Sequence, residues 1–401
     1  MNIKFALKKS SRIPLMTIAA ILLFSDVITI GCIQSPLYTL LQYIVLLLVA
    51  IYTVLQIKNL KTADVIFLAI VFIMATCFII SSYLNHIKSG LLRGSAYYAA
   101  LNFIVCLFLA EAGNKKKIDK VLLGGQIYLL IFLALNDLLM LVMPKTFYNI
   151  SGREIGTTLL GNKFDVAYAH LVLMFFLIFE EKNEKRRNRK VIIYAILLSI
   201  LCVFVDCNTA LLGCWVFVIL YFLPENLKTL ASNPIVFIMA FFASGLLLLL
   251  FSDILTWSPI QYLIVDILHR DATLTGRMQV YDYIYQIVSQ SKWWGYGYYT
   301  DIVKQTSLWY ANAQNAMWDF IICYGFITII ALVIYMMASV YKYFKHNRKH
   351  LRDRNWITFS MLYVYIFMGI GEITYNKQFF FYIALLWAGC STSDMRKKVC
   401  A

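Results

Sequence analysis

Three arginines stand apart from the basic clusters of this chain. Arg153 lies in Ser-Gly-Arg-Glu, Arg270 just precedes the stretch "TLTGRMQVYDYIYQIVSQSKWWGYGYYT" (273–300), and Arg277 lies within it. A guanidinium offers a planar fork of N–H donors that matches phosphate oxygens in pairs, which a lysine ammonium does not. For Arg277, beside Gly276 at an expected helix start, a phosphate ligand is the favoured reading. For Arg270, an ion pair with Asp266 or Asp271 is an equal alternative. The same stretch is dense in tyrosine and tryptophan, Tyr281 and Trp294 among them. Such rings suit the flat faces of pyranose sugars, and they equally suit a membrane–water interface. The residues alone leave that choice open.

The elements that must position these groups are apolar. Of 401 residues, 61% are hydrophobic and 14% charged. The runs are continuous, so the expected fold is all-α, a polytopic integral membrane protein with about twelve transmembrane helices. The first run follows Lys8, Lys9 and Arg12 and reads as a retained anchor rather than a cleaved leader. The chain divides into a bundle of nine spans (1–252), one long extracytoplasmic loop (253–315) and three last spans with a tail (316–401). Two short interfacial helices are expected in the loop, one from Ser258 to His269 and one from Arg277 to Gln290, by apolar residues recurring every three or four positions.

The net charge of +15 suggests nucleic acid only until its distribution is read. With the N-terminus inside and the spans alternating, 26 of the 36 basic residues fall on one side, the positive-inside pattern. Basicity then encodes orientation, and both termini are expected in the cytoplasm. The other side keeps ten, including Arg93, Arg153, Lys163, Arg270, Arg277, Lys304 and Lys377. Asp26, Asn136, Asp137, Asp206, Asn208 and Asp253 fall toward the same outer ends. Intramembrane polar groups are costly and tend to mark function, so an outward-facing polar vestibule is expected, roofed by the long loop. The nine cysteines form no paired motif, and the five histidines are scattered. No metal and no cofactor is expected.

The order of several short motifs resembles the O-antigen ligase and Wzy-type polysaccharide polymerase superfamily. Thr275-Gly276-Arg277, seventeen residues, then Gly295-Tyr296-Gly297 is similar to that family's signature loop. "AQNAMWDFIICYGFITII" (313–330) resembles its Ala-His-Asn segment through Gln314, Asn315 and Gly325. "GREIGTTLLGNKFDVAYAHLVLMFF" resembles its Arg–Gly–Asn stretch through Arg153 and Asn162. By motif the likeness covers about seventy residues, a length counted over these quoted stretches and not a domain boundary.

The resemblance implies a metal-independent glycosyltransferase of the bacterial cytoplasmic membrane, most like a Wzy polymerase. It would act on an undecaprenyl-diphosphate-linked oligosaccharide, a membrane lipid, with a flippase and a chain-length regulator as pathway partners. Arg277 and Arg153, then Arg270, would hold the donor diphosphate, where fixed cations stabilise the charge that builds on the leaving group. Gly276, Asn162, Gln314, Asn315, Tyr281, Trp294, Gly295 and Gly297 would contact substrate. One departure matters: Gln314 stands where the family has histidine, and an amide is no general base. Candidates for the replacement are Asp319, Asp282, Asp301, Glu372 and His170; spacing singles out none of them, and Asp319 is taken as the catalytic candidate. The loss favours polymerase over ligase. A flippase is the third alternative, although related halves and mid-membrane charges are not evident.

Overall fold

The structure, a computed structural model, describes residues 14–33, 35–57, 60–85, 91–142, 158–250, 257–262, 266, 277–307, 310–347 and 354–393. Among these residues it is entirely helical. The helices are α1 (Leu15–Val27), α2 (Pro36–Gln56), α3 (Thr62–Leu84), α4 (Leu91–Asn114), α5 (Ile118–Val142), α6 (Lys163–Glu180), α7 (Glu184–Phe204) and α8 (Asn208–Phe222). They continue with α9 (Glu225–Ala231), α10 (Pro234–Leu250), α11 (Ser258–Gln261), α12 (Arg277–Gln290), α13 (Ile302–Ser307), α14 (Ala316–Asn347), α15 (Arg354–Met368) and α16 (Lys377–Ser393). Caps set several starts. Ser35 accepts the Tyr38 N–H with Pro36 in the first turn, and Asn162 forms a reciprocal box with Asp165.

The outer surface is the reverse of a soluble protein's. On α2, Leu37, Leu41, Ile44, Leu48, Ile51 and Leu55 form an exposed stripe along the whole helix, while Val45, Leu46 and Val49 face inward. A stripe that long would be a severe liability in water and is at home against acyl chains. Among the described residues, five helices are long and apolar enough to cross a membrane: α2, α3, α4, α5 and α14. The protein is therefore a helical membrane protein. α8 and α9 meet at a bend of 118° after Pro224. The centre is α16, buried continuously from Phe379 to Ala388 and packed on α4, α14 and α15.

Polar contacts sort the helix ends into two groups. At one end Arg354 donates to Asp119 at 2.9 Å and to the Phe179 carbonyl at 2.8 Å, and Lys342 donates to Ser391 at 2.6 Å. Asp64 there accepts from Trp387 at 2.9 Å and from Asn114 at 2.7 Å. These are the basic ends that the charge pattern places together. At the opposite end the loop between α1 and α2 meets the start of α6, where the Gly31 N–H donates to the Leu160 carbonyl and the Leu160 N–H to Asn136. Lys163 pairs with Asp206 at 3.1 Å, and His170 lies 3.2 Å from Asp137. Several of the polar residues read as a vestibule thus tie loops to helix ends.

α14 is not one straight span. Gly325 has φ 76° and ψ 177°, which interrupts the helix after nine residues. The first part runs from Asn315, bonded to α10 and to the turn after α15, to the end of α3, where Ser81 donates to the Cys323 carbonyl at 2.8 Å. The strap 291–298 fills the break. The Tyr296 and Gly297 N–H groups donate to the Ile322 and Cys323 carbonyls, and the Phe326 and Ile327 N–H groups donate to the Lys292 and Trp293 carbonyls. The backbone groups freed by the break are thereby satisfied, as low-dielectric surroundings require.

Candidate functional site

Between the strap, the first part of α14 and the start of α16 lies a cavity of about 680 Å³. It sits at the end of the bundle opposite the basic clusters. One wall is aromatic: Tyr98, Tyr298, Tyr324 and Phe320, with Tyr98 and Tyr298 ring centres 5.6 Å apart. Burial and the neighbouring Tyr299 push the Tyr298 phenol up to about 12, so it is neutral at physiological pH. The lining also carries charged and amide side chains, Asp165, Asp301, Asp319, Lys304, Lys377 and Asn376, among apolar residues such as Val27, Ile28 and Ile373. Size and mixture suit a polar ligand that presents flat faces, such as one or two sugar rings.

Asp319 is the predicted site residue, among the described residues, that lines this cavity. One carboxylate oxygen accepts the Ala313 N–H at 3.3 Å, and the other lies 3.9 Å from the Cys323 thiol. The second oxygen thus carries only this long, weak contact from a thiol. Asp165 is held by the Asn162 N–H at 2.9 Å, and Asp301 accepts from the Gln305 amide at 2.9 Å.

The other predicted residues divide by what their groups already touch. Asn315 is fully buried. Its amide donates to the Ser244 and Ile370 carbonyls, and its carbonyl oxygen accepts from Met317 and Trp318. It is a four-way tie and caps α14. Asn162 likewise caps α6. Gln314 has φ 52° and donates from its amide to Asn312 at 2.6 Å, and Tyr281 donates to the Gln314 carbonyl at 3.3 Å. Gly295 and Gly297, at φ 68° and 90°, press on α14 and α3. A Cβ on Gly295 would sit 2.6 Å from the Ile322 carbonyl oxygen. Their use is close backbone approach within the strap. Trp294 is part of the same strap and half-buried.

Arg153, Arg270 and Gly276 lie outside the described residues, and of Arg277 only the backbone is described. Its position is still informative. Tyr281, one turn along α12, bonds the segment whose Ala311, Asn312 and Ala316 line the cavity. The expected helix from Arg277 to Gln290 is present and packs Val280, Tyr281, Ile284 and Ile287 against Val303, Ala313 and Ile322. The expected helix from Ser258 is described over Ser258–Gln261, and most of its remainder lies outside the described residues.

Sequence reasoning gave no role to Lys377, Lys304, Tyr98 or Tyr298. Lys377 opens the last apolar run in Asn-Lys-Gln, on the side from which lysine is depleted, and that was the available signal. Tyr98 carries no such signal, because an aromatic on a buried helix face is ordinary packing until the cavity beside it is seen.

A second cavity, of about 890 Å³, adjoins the first between the loop 29–33, α2 and α4. The two share Thr29, Tyr298 and Lys377 in their linings. Compared with family models and with curated proteins, the chain matches none.

Proposed function

We propose that this protein is a polysaccharide polymerase, a glycosyltransferase that joins polyprenyl-diphosphate-linked oligosaccharide repeat units at the outer face of the bacterial cytoplasmic membrane. In this reading the chain has about twelve spans, with both termini in the cytoplasm. The observation that carries it is the tyrosine-walled, carboxylate-bearing cavity at the end of the bundle away from the basic clusters. The motif order around Gly276-Arg277 and Gln314-Asn315 is the second support.

An acceptor hydroxyl attacks the anomeric carbon of the donor sugar, the bond from that carbon to the diphosphate oxygen breaks, and polyprenyl diphosphate leaves. Asp319 takes the hydroxyl proton on its freer oxygen. Tyr98 and Tyr298 stack against the sugar rings. Arg277 and Arg153, with Arg270, are assigned to the charge that accumulates on the diphosphate. No step requires a metal ion.

A deletion strain separates this reading from its neighbours. Loss of a polymerase leaves single repeat units on their final acceptor. Long lipid-linked polymer in the deletion strain would instead indicate a ligase, and single units held on the cytoplasmic leaflet would indicate a flippase. Either outcome refutes the proposal.

A further inference from the structure

The two adjoining cavities differ in charge. The central one carries three carboxylates, Asp165, Asp301 and Asp319, against two lysines. The side groove between α2 and α4 carries Arg93 and Lys377, and among the described residues no carboxylate lines it. Asp26 is fully buried beside it, within electrostatic reach of the lining residues Tyr38, Tyr97 and Lys377. Its backbone carbonyl takes one N–H of Lys377 at 2.9 Å, and its carboxylate lies beside the Tyr97 hydroxyl and within electrostatic reach of Lys377. Of the groove's own lining residues two are cations, one of them, Lys377, shared with the central cavity. Lys377 keeps two further N–H donors, and Arg93 has no ion-pair partner among the described residues. The N-terminus of α2, at Ser35 and Pro36, adds the positive end of a 21-residue helix.

The groove is also open to lipid. Leu40 lines it and is 53% exposed, on the same helix as the lipid-facing stripe. A ligand entering here passes from acyl chains to cations, and then past Lys377 to tyrosines and carboxylates. That gradient is the order of parts in a chain–phosphate–sugar molecule.

We propose that this side groove admits the diphosphate head of an isoprenoid-linked donor, with Arg93 and Lys377 making its contacts on the lipid side, in addition to the arginines assigned to the charge that builds on it during transfer, and with Lys377 marking the junction where the sugar enters the central cavity. The assignment of the ligand rests on the polymerase reading. The position of the head group does not depend on that reading. Charge-assisted hydrogen bonds are the strong ones, and losing one at a buried site lowers affinity roughly tenfold to a hundredfold.

The test is photolabelling of the full chain in nanodiscs of phosphatidylethanolamine and phosphatidylglycerol with a benzophenone-bearing isoprenoid diphosphate. The label is expected within residues 29–43, with protection by undecaprenyl diphosphate but not by added phosphatidylglycerol or inorganic pyrophosphate. Lys377→Gln is expected to cut labelling at least tenfold and Arg93→Gln severalfold, while Lys377→Arg retains most of it. Leu40→Trp plugs the mouth from its exposed lip without touching a cation or a buried contact. Its loss of labelling is therefore not a folding defect. Undiminished labelling in both Lys377→Gln and Leu40→Trp overturns the site. Equal protection by phosphatidylglycerol makes it a general anionic-lipid groove, and protection by pyrophosphate alone makes it a free-anion site. Each of these overturns the proposal. If labelling behaves as expected and the deletion strain still makes full-length polymer, the polymerase reading fails and the groove stands. If polymer is lost on deletion and Lys377→Gln labels normally, the reverse holds.

Discussion

Replacing Gly325 by alanine tests whether the strap and the broken helix form one device. At φ 76° and ψ 177° a side chain is strained regardless of space, at a cost of roughly 1–3 kcal/mol. Space is also absent, since the new Cβ would lie 2.2 Å from the Trp293 carbonyl oxygen, which is backbone. The strap must therefore shift. It is held to α14 by the backbone hydrogen bonds of Tyr296, Gly297, Phe326 and Ile327, each contributing about 1 kcal/mol net. If the strap retreats and those bonds are lost, the total is roughly 6 kcal/mol; if it yields with them intact, roughly 2 kcal/mol remains. The assay is the apparent melting midpoint in detergent, together with the rate of trypsin cleavage after the exposed Lys292. A drop of several degrees and faster cleavage are expected. Gly213→Ala is the control. Its Cβ meets the flexible Met368 thioether at 2.5 Å within a regular helix, where alanine is intrinsically favoured by about 1 kcal/mol. That variant should melt within a degree or two of the parent. Equal behaviour of Gly325→Ala and Gly213→Ala would refute the idea that the strap is locked into the break.

Asn315→Ala should lower the same midpoint, by a loss of about 2–4 kcal/mol, because two carbonyls and two N–H groups are left unpaired in a buried place. Asn315→Asp should fare no better, since it lacks the donor. A parent-like melt with only activity lost would mean that the amide serves substrate instead. Asp319→Asn should stop polymer formation with protein still in the membrane, and so should Arg277→Ala and Arg153→Ala. Arg277→Lys should rescue poorly for want of the planar fork. Wild-type chain lengths in these variants would contradict the assigned roles. Because burial holds the Tyr298 phenol near 12, its neutral form persists well above the usual tyrosine range. The alkaline limb of activity between about pH 8 and 10.5 should therefore be the same in Tyr298→Phe and the parent. A limb that moves with this substitution would show that the phenol ionises within that window.

The amino-acid sequence by itself determined the solvent, the helical class and the sorting of the helix ends. Long apolar runs demand a low-dielectric surround, and backbone groups there can be satisfied within a helix. Lysine and arginine counts then decide which ends lie together, and Arg354, Lys342 and Lys190 do meet their partners at one end. The helix from Arg277 to Gln290 was equally legible, because its period is local. Only the tertiary structure decided what the motif residues touch. Gly295 and Gly297 lie well apart from Gly325 in the chain, yet the three make one joint, because a positive φ and a close backbone approach are properties of the partner as much as of the residue. Asn315 became a tie and Lys377 a junction for the same reason. A side chain's role depends on which hydrogen-bonding groups the fold leaves within about 3 Å of it, and local sequence does not carry that distance.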